Sequence, residues 1–133
     1  MDDLVVFVRA RLDEEEAIAL TAGADPECGV WAATRDGVDF DQYEVDGIHP
    51  ATAAHIVRHD PARVLREVAA KRSILDRHKS CGTGVGYCDD GGHGPSVEDS
   101  EAFTGCSDLK DLATPYADHR DYRREWAPDE ADN

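Results

Sequence analysis

Four side chains in the second half of the chain carry atoms that bind borderline metal ions: His78, Cys81, Cys88 and Cys106, spaced His-x2-Cys-x6-Cys-x17-Cys. Zinc takes four nitrogen or sulfur ligands in a tetrahedron, and small domains use it where the apolar core is thin. The core here is thin in aromatics, with three Phe, four Tyr and two Trp in 133 residues. Gly82, Gly84 and Gly86 let the backbone turn so that the sulfurs of Cys81 and Cys88 can face one ion. His93 stands as an alternative to His78 as the nitrogen donor. A filled Cys3His set leaves no open position, so the zinc expected here is structural rather than catalytic. The competing readings are unrelated thiols in a loose loop, or a disulfide. Cys28 lies far off in sequence and reads as a buried small residue or an idle thiol.

Other chemistry-bearing patterns are weaker. Gly82–Gly86 (GTGVG) looks like a phosphate-binding loop, but such loops follow a strand and open a helix, whereas this one follows a helix and sits between cysteines. His49, His55 and His59-Asp60, with Asp108 or Asp111 downstream, resemble the ligands of HD-type metal phosphohydrolases. The long spacing between such ligands is missing, and Asp60 has a structural role before Pro61. Asp36, Asp39, Asp41, Glu44 and Asp46 lack the Gly and Glu register of a calcium loop and read as a solvated strand face. Asp118, His119 and Asp121 lie on a tail whose aromatics read as core anchors. No catalytic residue is assigned.

Composition narrows the partners. Lys and Arg total 14 against 29 Asp and Glu, for a net charge of −15. Residues 1–58 hold 13 acids and 4 bases (−9), residues 59–79 hold 3 and 6 (+3), and residues 80–133 hold 13 and 4 (−9). A basic helix therefore lies between acidic segments that can pair with it. Such an excess of negative charge repels phosphate backbones and anionic membranes, so direct nucleic-acid binding and membrane attachment are disfavoured. An unidentified protein partner is the expectation; a basic one is an option, beside the plainer reading of the acidic surface as solubilising. The start, MDDLVVFVRARLDEEE, lacks the basic opening of a signal peptide, and no apolar stretch reaches membrane-spanning length. A cytoplasmic location is expected, and there cysteines serve as thiols or metal ligands.

The elements that must position these residues follow from periodicity and end signals. Leu4, Val5, Val8 and Leu12 share one face of a helix over 3–22 that Gly23 can end. Residues 30–34 (VWAAT) and 38–45 (VDFDQYEV) flank Arg35-Asp36-Gly37 as a β-hairpin whose buried side is Trp31 and Phe40. A short helix over 50–58 leads to a bend at His59–Asp60. Then comes the central helix, 59–78, with Asp60 as N-cap, Pro61 in the first position, and Val64, Leu65, Val68 and Leu75 as its apolar stripe. A glycine-rich loop follows. Ser107 caps a short helix through Leu112, stopped by Pro115, and the tail docks Tyr116, Tyr122 and Trp126.

The stretches RHDPARVLREVAAKRSILDRH (58–78) and PYADHRDYRREW (115–126), with the acidic first helix, resemble a family of small actinobacterial and actinophage proteins of unknown function. Its members place a histidine after the central helix, two nearby cysteines, and one cysteine before the tail. The matching positions are His78, Cys81, Cys88 and Cys106, although the family's paired cysteines are often two residues apart and here six intervene. The resemblance implies a bacterial or phage origin and no known activity.

The fold expected is α+β and mainly helical: an N-terminal helix, a β-hairpin, a long central helix, a zinc knuckle over 80–106 and a short C-terminal helix. Residues 1–126 form a single small domain in this reading, and 127–133 are a disordered tail. The function expected is that of a non-enzymatic accessory or regulatory protein working through protein contacts. Two alternatives stand beside it: an acidic nucleic-acid mimic that inhibits a DNA-binding protein, and a metal-dependent phosphohydrolase of HD type.

Overall fold

Asp3 sits in the first turn of the first helix, where a carboxylate suits the positive end of the helix dipole. From there α1 (Asp2–Gly23) runs unbroken through the acidic Asp13–Glu16 stretch. The computed structural model describes residues 2–23, 29–79 and 106–128. Three short strands follow, β1 (Ala32–Ala33), β2 (Gly37–Asp39) and β3 (Glu44–Asp46), then α2 (Pro50–Arg58), α3 (Pro61–His78) and α4 (Ser107–Ala113). Two 3-10 turns, Thr114–Tyr116 and Arg124–Trp126, end the described chain. The architecture is α+β and mainly helical, as the periodicity implies. No described helix is long and apolar enough to cross a membrane.

The chain forms two compact units, Asp13–Ala69 and Met1–Leu12 with Ala70–Asn133. In the Asp13–Ala69 unit the strands make an antiparallel sheet in the order β1-β2-β3. Ala33 faces Val38, and Val38 faces Val45. The hairpin at Arg35-Asp36 is present, closed by Thr34 N–H donating to the Gly37 carbonyl at 2.9 Å. Gly37 is needed for a different reason from the usual positive φ: a Cβ there would lie 1.8 Å from the Val45 carbonyl oxygen, so β3 crosses too close for any side chain. The expected continuous second strand is instead broken into β2 and β3. Asp41 takes φ 73°, and the Asp39 carboxylate accepts the Asp41 N–H at 2.8 Å. That Asx turn diverts the chain, and Phe40 N–H closes it on the Tyr43 carbonyl at 2.9 Å.

Helix α2 packs on β1 and β2, and Ala53 and Val38 are fully buried. Trp31 and Phe40 meet edge to face at 4.8 Å, half-buried rather than sealed inside. His49 caps α2, its Nδ1 accepting the Ala51 N–H at 3.1 Å, and Pro50 takes the first helical position. The bend at His59–Asp60 is where expected. Asp60 Oδ1 accepts the Arg63 N–H at 2.9 Å as the start of α3, and its Oδ2 accepts the Trp31 N–H at 3.2 Å. One carboxylate thus ties the chain before β1 to the head of α3. Of the expected stripe on α3, Val68 and Leu75 are buried, whereas Val64 and Leu65 are only half-buried.

In the other unit, Leu4, Val5, Val8 and Leu12 are buried as their spacing requires, and Phe7 joins them. The Phe7 ring is the hub of the tail. It lies 5.0 Å from Trp126, 6.0 Å from Tyr122 and 6.4 Å from Tyr116. Edge-on and tilted aromatic contacts of this kind each add about 0.5–1.5 kcal/mol beyond area burial. The N-cap of α4 is Cys106, without a side-chain capping bond, and Ser107 is the first helical residue. Pro115 does not halt the chain's coil at once: α4 reaches Ala113 and tightens into the 3-10 turn that holds the proline. Leu109 and Ala113 give α4 its buried face.

Candidate metal centre

Helix α3 delivers His78 as its last residue, one turn beyond the buried Leu75, so the imidazole is carried into the core side of the helix end. Helix α4 delivers Cys106 at its N-cap and Asp108 in its first turn. The three converge. His78 Nδ1 lies 3.6 Å from Cys106 Sγ, and His78 Nε2 lies 3.2 Å from Asp108 Oδ2. Ligand atoms from all three fall within 4.8 Å of one another. Cys106 is 0% exposed and His78 9%.

The three groups are spaced as a metal site would need. Zinc–sulfur and zinc–nitrogen bonds of about 2.3 and 2.05 Å, opened at the tetrahedral angle, put the two donor atoms about 3.6 Å apart. The Nδ1 to Sγ distance, which also suits a direct sulfur–imidazole hydrogen bond, has that value, so the spacing is compatible with one ion held between them. With Nδ1 on an ion, Nε2 would carry the proton and could donate it to Asp108 Oδ2, which lies 3.2 Å away. A carboxylate behind a ligating histidine fixes the tautomer and ring orientation and raises the basicity of the ligand. If an ion lay between Nδ1 and Sγ, Asp108 would stand behind the histidine as an orienting group, although its carboxylate is also close enough to be a ligand itself. In the sequence it enters only as a downstream acid for a phosphohydrolase. The signal available was its place two residues after Cys106, at the start of a helix.

Cys81, Cys88 and the alternative donor His93 lie outside the described residues, as do Cys28, the GTGVG stretch, the 80–105 part of the knuckle and residues 129–133. Among the described residues the structure brings His78 and Cys106 together and adds Asp108.

The remaining candidates resolve into local roles. Both oxygens of Asp60 are committed to backbone N–H groups. His59 is exposed, donates Nδ1–H to the His55 carbonyl at 2.7 Å and stacks on the His55 ring at 4.5 Å. The acids of the sheet are exposed, and the Asp36 carbonyl accepts the Gly47 and Ile48 N–H groups at the exit of β3. In the tail, His119 packs 5.6 Å from Phe7, takes the Asp121 N–H on Nδ1 at 3.0 Å and meets the Arg11 guanidinium. Asp118 and Asp121 are exposed beside it.

A model described as a family of unknown function (DUF6221) matches residues 1–128. No curated protein and no solved structure matches the chain.

Proposed function

Because the chain belongs to the family of unknown function DUF6221, we propose, on its own residues, that it is a small acidic accessory protein of a bacterium or phage, working in the cytoplasm through protein contacts. Its Cys106-containing part is held to the end of α3 by a structural zinc ion. His78 and Cys106 supply two ligands, Cys81 and Cys88 complete the set, and Asp108 orients His78. The observation that carries the metal reading is the 3.6 Å approach of His78 Nδ1 and Cys106 Sγ, both buried, with a carboxylate on the opposite ring nitrogen. A pair of buried donors spaced for a tetrahedral edge is what a closed zinc site requires.

A closed site performs no turnover itself, so the metal reading supplies no catalytic centre, and protein contact is the activity proposed. In such sites the metal-binding energy becomes folding energy. The test is elemental analysis of protein purified without a histidine tag, with thiols counted before and after chelation. One zinc per chain, and three of the four thiols reacting only after chelation, is the expected result. Stoichiometric metal that survives in Cys106→Ser, or untreated protein whose cysteines all react at once, overturns the site.

A further inference from the structure

We propose that the apolar cleft of the Asp13–Ala69 unit is a docking groove for a basic segment of a partner protein that inserts one large apolar side chain. The inference rests on the reading of the protein as one that works through protein contacts, and it names the surface and the chemistry of the partner.

The cleft holds about 240 Å³ and lies between the second half of α1, Trp31 and the head of α3. Its apolar lining comes from Ile18, Ala19 and Ala22 on α1 and from Pro61 and Val64 on α3. Ile18 is 69% exposed, a large apolar side chain standing in water at the edge of an apolar hollow. Val30, next to Trp31 in the chain, is 64% exposed. Drug-sized ligands occupy clefts of about 300–1,000 Å³, so this hollow fits a single anchoring side chain better than a cofactor. Interfaces commonly concentrate their binding energy in such an anchor seated in a pocket.

Charge chooses the occupant. The unit carries 13 acids against 4 bases, hence −9. Glu15 lines the cleft itself, within the Asp13–Glu16 run one turn before Ile18. A second copy of this unit would bring the same negative charge, and an acidic peptide or nucleic acid is repelled likewise. A Lys- and Arg-rich segment is drawn in, and the field raises its rate of encounter. The apolar anchor then sets the register.

The test is fluorescence anisotropy on the full chain with a labelled Lys/Arg-rich peptide carrying one central Leu. Companion peptides replace that Leu by Ala, or the cations by Glu. Amide chemical shifts report where the peptide sits. The Leu peptide is expected to bind about tenfold or more tighter than the Ala peptide, from burial of the anchor. Its shifts should be confined to residues 15–22, Trp31 and 59–64. Ile18→Asp, at an exposed position that leaves the amide spectrum otherwise intact, should remove the Leu advantage. Glu15→Lys should weaken binding and flatten its salt dependence.

Equal binding of the Leu and Ala peptides, or shifts spread over the whole acidic surface, overturns the proposal in favour of unspecific ion pairing. A concentration-dependent dimer abolished by Ile18→Asp overturns it in favour of a second copy. A cellular partner captured equally by the native chain and by Ile18→Asp removes the cleft while leaving the protein-contact reading in place.

Discussion

Replacing Asp108 separates an orienting carboxylate from a metal ligand and from a bystander. Its Oδ2 lies 3.2 Å from His78 Nε2, and its side chain is 37% exposed. Loss of a carboxylate behind a ligating histidine costs about 10–100-fold in metal affinity, or about 1.4–2.7 kcal/mol. Water can reach this carboxylate and replace it in part, so the lower end applies to Asp108→Ala: about tenfold. Asp108→Asn keeps an acceptor and loses the charge, and should fall between Ala and the native chain. The assay is competition with a chromogenic zinc chelator at fixed pH, with His78→Ala and Cys106→Ala as controls that remove a donor outright. With zinc in excess, the tenfold loss should also appear as about 1.4 kcal/mol of lost stability. Unchanged affinity in Asp108→Ala, alongside abolished binding in His78→Ala, refutes the orienting role. Complete loss of zinc in Asp108→Ala makes Asp108 a ligand in its own right and displaces one of the thiols from the set.

Two further outcomes follow from the Asp13–Ala69 unit, both measured by urea unfolding. Asp60→Ala removes the α3 cap and leaves the Trp31 N–H without its acceptor, for about 2–4 kcal/mol, whereas His59→Ala, at an exposed ring, should stay within about 0.5 kcal/mol; equal losses in the two would refute the stitching role of Asp60. Gly37→Ala puts a methyl group 1.8 Å from the Val45 carbonyl oxygen, so it should cost about 1–3 kcal/mol and speed amide exchange in β2 and β3; unchanged exchange would mean the strands do not approach as described.

The helices were legible because their signals are local. Asp60-Pro61 marks the start of α3, and the Leu4, Val5, Val8 and Leu12 spacing marks the buried face of α1, since caps and periodicity act within a turn or two of chain. The strand region was legible only in outline. Asp-Gly pointed to the hairpin, but Gly37 answers to the later Val45 carbonyl, a neighbour that no short window contains. The break at Asp41 rests on an aspartate serving its own backbone in the middle of alternating residues, where the alternation reads as one strand. Val64 and Leu65 share the period of Val68 and Leu75 but are less deeply covered, because periodicity gives a face and not the length of its partner. At the candidate site, residue type singled out His78 and Cys106. Asp108 needed three dimensions, since a carboxylate becomes an orienting group only when a ring nitrogen is aimed at it.

The order β1-β2-β3 leaves β3 as a border of the sheet, and all three of its residues are exposed. A border strand offers an unpaired row of N–H and C=O groups on which another chain can grow. Here the row is only Glu44-Val45-Asp46, with a negative charge at each end and the Asp41 turn just before it. A second molecule adding in register would stack carboxylate against carboxylate at both ends of so short a ladder. The acids that would draw the proposed cation-rich partner also oppose edge-to-edge growth of this sheet.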